Sequence, residues 1–193
     1  MKSSTQRKPH QKIKEETNTT SYRLPSKLLD DLETEAREKN ISQNVLVKQI
    51  LMKYLGWDRY SQRIGMVPVP QTILRNLAGD LTHQEILKII DLLFTTIKDS
   101  VMLMKGGYDL KRTIETLEDY MRNSGMDSDH RIEGDLHHLI IQHKMGIQWS
   151  IFTELLLRRV FAEFEIMELK FQTTESTVIA TIPLGSEFDE HDY

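Results

Sequence analysis

The stretch Val45, Leu46, Val47, Ile50, Leu51, Tyr54 and Leu55 constrains this chain more than any other, because on a helix it is apolar almost all round. Such a helix has to be enclosed on every side. Upstream, Leu28, Leu29, Leu32 and Ala36 fall on one stripe of an amphipathic helix, with Asp30, Asp31, Glu33, Glu35 and Glu38 on its other faces. Before it lies a short strand pattern over Thr19–Leu24, set off by Pro25. There Thr20, Tyr22 and Leu24 point one way, and Thr19, Ser21 and Arg23 the other. A tight break at Asn40 separates the two helices. Residues 19–55 are too few to bury the second helix, and a lone strand leaves its backbone unsatisfied. A second chain is therefore expected, and the simplest second chain is another copy.

Strand, proline turn, amphipathic helix, break and apolar helix, in this order and register, resemble the ribbon-helix-helix family of DNA-binding proteins, of the Arc, MetJ and CopG type. The resemblance covers about a fifth of the chain. It implies that two chains pair their strands into an antiparallel ribbon lying in the DNA major groove, with the second helices interlocked as the dimer core. Carried over, Thr19, Ser21 and Arg23 are the groove-facing residues, while Tyr22 and Leu24 anchor the ribbon. Ser42, Gln43 and Asn44, at the start of the second helix, match the phosphate clamp. Elementary electrostatics supports the same place for a phosphate, since free N–H groups and the positive dipole end meet at a helix N-terminus. Many members have glycine where this chain has Asn40, and asparagine tolerates the same left-handed turn.

Charge is distributed as this reading requires. The net charge is −4, yet residues 1–63 hold 13 Lys+Arg against 8 Asp+Glu, and residues 64–193 hold 12 against 21. A basic end coupled to an acidic remainder suits a nucleic-acid reader with a separate second domain. Residues 1–18, with Lys2, Arg7, Lys8, Lys12 and Lys14, are either a solvated disordered terminus or a basic arm adding phosphate contacts. The absence of cysteine excludes disulfides and thiolate metal sites. No apolar run is long enough to span a bilayer and no signal peptide is evident, so the expectation is a cytoplasmic protein without a membrane partner.

After the second helix, expected to end near Leu55 with Gly56 in the left-handed position, Arg63–Pro70 reads as an extended connection. The domain boundary is placed there: 19–63 for the DNA-binding module, 64–70 for the linker, and 71–184 for an α+β sensor or oligomerisation domain. An acidic tail, 185–193, follows. Within 71–184, a short helix runs from Gln71 to Ala78, and Thr82 with Glu85 has capping-box spacing. A long helix through Ile86, Ile90, Leu93, Ile97, Val101 and Met104 stops at Gly106-Gly107. Asp109–Asn123 forms another helix. Leu136–His143 reads as a strand, Trp149–Phe164 as a helix, and Ile166–Phe171 with Thr177–Ile182 as a hairpin. The fold class is α+β: a ribbon-helix-helix module, then a mostly helical domain with a small antiparallel sheet carrying helices on one face.

The candidate chemistry of that domain is its histidines. On a strand His137 and His143 share a face, with Asp135 on the same side. Imidazoles and a carboxylate could hold a divalent ion such as zinc, nickel or cobalt. The bland reading is that they are hydrogen-bonded strand-end side chains. No glycine-rich phosphate loop, nucleophile elbow or HExxH pair occurs, so no enzyme is expected. The sequence thus points to a DNA-binding transcriptional regulator acting on double-stranded DNA as a homodimer or as a tetramer of paired dimers. Its rivals are an antitoxin, whose C-terminal part would wrap a toxin, and an architectural DNA-binding protein.

Overall fold

The structure is a computed structural model that describes residues 18–184. The basic arm, apart from Asn18, and the acidic tail 185–193 lie outside the described residues. The chain divides into two compact units, 1–48 and 49–193.

In the first unit, residues 18–25 form no ladder. This corrects the strand expected at Thr19–Leu24, for a physical reason: a strand exists only through its partner, and among the described residues none pairs with this segment. Pro25, at φ −59° and ψ 141°, hands over to α1, Ser26–Glu38. Asn40 takes φ 54°, and the helix closes through two bonds, Ile41 N–H to the Ala36 carbonyl at 3.0 Å and Asn40 N–H to the Arg37 carbonyl at 3.1 Å. That double closure is a Schellman end, with asparagine in the position glycine usually holds. The next helix, α2, spans Gln43–Lys53 and so crosses the division between the units.

The second helix does not stop at Leu55. A widened π-helical turn, Tyr54–Asp58, continues it into α3, Arg59–Ser61. Gly56 is not left-handed; Gly65 is, at φ 76°, and bonds from Met66 to Ser61 and from Gly65 to Gln62 repeat the Schellman closure. The reason is Trp57, buried with its ring 6.1 Å from that of Tyr120, so the helix is carried onward to deliver it. The connection at 64–70 lies inside the second unit.

The expected helices follow. They are α4, Gln71–Gly79; α5, His83–Lys105; α6, Leu110–Asn123; and α7, Ile147–Ala162. Thr82 and Glu85 make the full reciprocal cap, and Gly106 ends α5 at φ 72°. The strands are β1, Asp127–Glu133; β2, Leu136–Gln142; β3, Lys170–Thr173; and β4, Thr177–Pro183. They form one antiparallel sheet in the order β1-β2-β4-β3. The fold is therefore α+β, with all of its described strands at the C-terminal end.

Strand β1 was not anticipated, and the hairpin's first arm is shorter than Ile166–Phe171. Asp127–Glu133 carries one large apolar residue, Ile132, because it is an edge strand, where charge blocks further pairing. Before β3, Glu165 turns the chain at φ 62°, and Ile166 and Leu169 pack on the core from irregular backbone. Alternation then sorts the sheet. His137, Leu139 and Ile141 on β2 and Val178, Ala180 and Ile182 on β4 are buried, and Leu139, Ile141, Ala180 and Ile182 join Leu157, Val160 and Phe161 of α7 and Ile114, Leu117 and Met121 of α6 in one core.

Candidate nucleic-acid interface

Six residues were expected at the DNA. Thr19, Ser21 and Arg23 are all exposed, in the segment without a ladder. Ser42 caps α2: its Oγ accepts from Val45 N–H at 3.3 Å, and its carbonyl accepts from Leu46 N–H at 3.0 Å. Asn44 is exposed beside it. Gln43 is half-buried, and its Nε2 donates to the Leu29 carbonyl at 3.2 Å. That bond ties the start of α2 to α1, so Gln43 positions the turn, and Ser42 and Asn44 are left to face outward.

Both units also expose large apolar side chains in this part of the sequence. Tyr22 is 72 % exposed, Ile50 48 % and Leu55 52 %, and Leu28, Leu29, Val45 and Leu51 are exposed as well. In the first unit only Ala36 and Leu46 are buried among the described hydrophobic residues. The acids of α1 are partly neutralised along the helix by Glu33–Arg37 at 3.1 Å and Glu35–Lys39 at 3.4 Å, pairs that contribute little to stability when exposed.

The histidines of the second unit are not brought to one place. Six residues of strand span about 20 Å, so sharing a face does not let His137 and His143 share an ion. His143 is buried, and both ring nitrogens are engaged: Met145 N–H donates to Nδ1 at 3.2 Å, and Nε2 lies 2.9 Å from Ser150 Oγ. With Nδ1 accepting, a neutral ring carries its proton on Nε2 and donates to the serine. Burial pushes the His143 pKa below its ordinary value. No lone pair is left for a metal. Among the described residues, no group of three or more His, Asp or Glu side chains is disposed to hold an ion.

His137 belongs instead to a different chain of contacts. His130 Nε2 lies 2.9 Å from His137 Nδ1, and His130 Nδ1 lies 3.1 Å from Glu118 Oε1. A helix, an edge strand and an inner strand thus meet through three titratable side chains. Sequence reasoning passed over Glu118 and His130 because β1 was missing from it. With β1 in register, Ile132 opposes His137 and His130 opposes Leu139, which puts the two imidazoles on one face as diagonal neighbours. A cleft of about 170 Å³ opens beside Glu118 and His130, smaller than the usual range for small-molecule sites.

The comparisons add no family. No protein-family model and no curated protein matches the chain. Among the described residues, no helix is long and apolar enough to cross a membrane.

Proposed function

We propose that this chain is a homodimeric, sequence-specific DNA-binding transcriptional regulator, built on a ribbon-helix-helix module with an α+β domain behind it that senses a ligand or sets the assembly. The observation that carries the reading is the unmet demand of residues 19–55. Two helices form around an Asn40 turn, yet Tyr22, Leu28, Leu29, Ile50, Leu51 and Leu55 remain exposed, and the alternating segment before them has no partner strand. The sheet formed among the described residues does not include that segment. A second copy answers both demands at once, because an antiparallel pairing of identical strands is closed by a two-fold axis and puts the same apolar helices face to face. The outward side of such a ribbon carries Thr19, Ser21 and Arg23, a donor-rich set suited to base edges, and the basic end of the molecule lies with it.

A packed core of α6, α7, β2 and β4 counts against the antitoxin alternative, whose C-terminal part would order only on a toxin. The test is selection of the full chain against random duplexes, followed by affinity measurements on the recovered site. Arg23→Ala is expected to cost about 1–3 kcal/mol on that site and to relax preference at one base pair. Asn44→Ala should weaken selected and scrambled duplexes equally, as a phosphate contact does. Absence of a recovered motif refutes the reading, and equal losses for Arg23→Ala on both duplexes remove base readout from that residue.

A further inference from the structure

The second unit contains a cavity of about 740 Å³ whose walls are aromatic, methionine and proline side chains. Trp57 from the π-helical turn, Tyr120 from α6 and Trp149 from α7 contribute rings, and Met126 and Met145 contribute thioethers. The extended run Met66–Pro70 forms one side. Volume and lining both fall within the range of small-molecule sites, which are mostly apolar with a few orienting polar groups.

The polar groups are as informative as the rings. The polar residues lining the cavity are Ser61, Gln71, Asn123 and Ser124, beside Tyr120 and the two tryptophans, and no Asp, Glu, Lys, Arg or His side chain is among them. Three are held in place by backbone. Ser61 Oγ donates to the Asp58 carbonyl at 2.9 Å, Gln71 Nε2 to the Gly125 carbonyl at 3.0 Å, and Asn123 Nδ2 to the Asp119 carbonyl at 2.7 Å. A charged guest would give up hydration here and meet no counter-charge among the lining side chains. A flat uncharged guest meets ring faces, polarisable sulfur and neutral hydrogen-bonding groups.

We propose that this cavity binds a neutral aromatic small molecule, and that its occupancy is communicated to DNA binding through the helix that bears Trp57. The second half rests on the reading of the chain as a DNA-binding regulator; the first does not. Trp57 and Ser61 stand on the direct continuation of α2, the helix that carries Ile50 and Leu51. A guest packed against Trp57 favours whichever arrangement of that helix presents the ring to it. Any such preference changes DNA affinity by the factor by which DNA changes the guest's affinity.

The chain supplies its own reporter, since its two tryptophans, Trp57 and Trp149, both line the cavity. The probe is N-phenyl-1-naphthylamine, an uncharged secondary arylamine that accepts energy from excited tryptophan. Titrated into the full-length protein without DNA, it should saturate at one molecule per chain. Its anionic counterpart, 1-anilinonaphthalene-8-sulfonate, should bind at least about tenfold more weakly. Val69→Asp, on the exposed side of the cavity wall, should weaken the neutral probe by about tenfold or more while leaving the circular dichroism unchanged. Leu92→Asp, exposed on α5 and outside the cavity, should not change it. Equal binding of both dyes, an unaffected Val69→Asp, or loss of binding in Leu92→Asp overturns the proposal. So does displacement of the probe on raising protein concentration, which would give the cavity to a second copy. Probe binding by a protein that binds no DNA leaves the aromatic site standing and refutes the DNA reading; DNA binding without probe binding does the reverse.

Discussion

His143 is a buried imidazole held neutral between a backbone N–H and a serine hydroxyl, and its titration has a definite sign. Burial lowers its pKa from the ordinary 6.5, so between that value and its folded value the unfolded chain binds more protons than the native one. Stability contributed by the neutral ring is whole above about pH 6.5 and declines as the pH falls through the folded pKa. The melting temperature should therefore drop between pH 7.5 and pH 5.5 by more than in His143→Gln, whose amide can still accept from Met145 and meet Ser150. An identical drop in the two proteins would assign the acid sensitivity elsewhere. Lys98 and Glu163 form an ion pair near the surface whose two members titrate with opposite signs: the carboxylate's contribution is lost on acidification and the ammonium's on alkalinisation. Their 2.5 Å contact raises the lysine and lowers the carboxyl, with Tyr108 raised beside them by burial.

At the scale of elements, capping and periodicity carried most of the legible information. The Thr82–Glu85 box, the Gly106 stop and the Asn40 turn all lie where short local rules place them, because a helix end satisfies its own backbone with neighbours a few residues away. Thr82→Ala should accordingly lower stability by about 1 kcal/mol, read as a shift in the urea midpoint at unchanged slope. What could not be read locally was decided at a distance. Gly56 stays helical because Trp57 is wanted against Tyr120, sixty-odd residues on. Asp127–Glu133, by contrast, pairs locally across the two-residue turn Gly134-Asp135, and its polar composition is what hid it. The histidine pairing was hidden with that strand. Residues 19–24 are the remaining case: among the described residues no strand pairs with them. Ile50→Asp tests whether their partner is a second copy: a carboxylate in the shared core should abolish dimerisation and DNA binding together. A folded monomer of the unaltered protein at micromolar concentration, seen by sedimentation, would dismiss the dimer.

The whole molecule divides between Lys48 and Gln49, within α2, and not at the proline-rich connection, and this has consequences for dissection. Residues 49–69 give the second unit Trp57, its contact with Tyr120 and one wall of the large cavity. A fragment 49–193 should therefore unfold cooperatively, whereas 70–193 should be less stable by about 3–5 kcal/mol, the usual cost of deleting a buried large aromatic side chain. The longer fragment holds 15 Lys+Arg against 22 Asp+Glu and lacks Arg23, Ser42 and Asn44. At low salt, where phosphate repulsion is least screened, it should have no measurable affinity for duplex DNA. Fluorescence anisotropy on a labelled duplex, with the full chain as positive control, measures this directly. If 49–193 binds as tightly as the full chain, the DNA surface lies in the second unit and the ribbon assignment fails. If 70–193 matches 49–193 in urea denaturation, Trp57 is no part of that unit's core. The same pair of fragments also locates the aromatic site, since 49–193 retains both tryptophans around the cavity and should bind the neutral probe, while 70–193 has lost Trp57 and the 65–69 wall and should not.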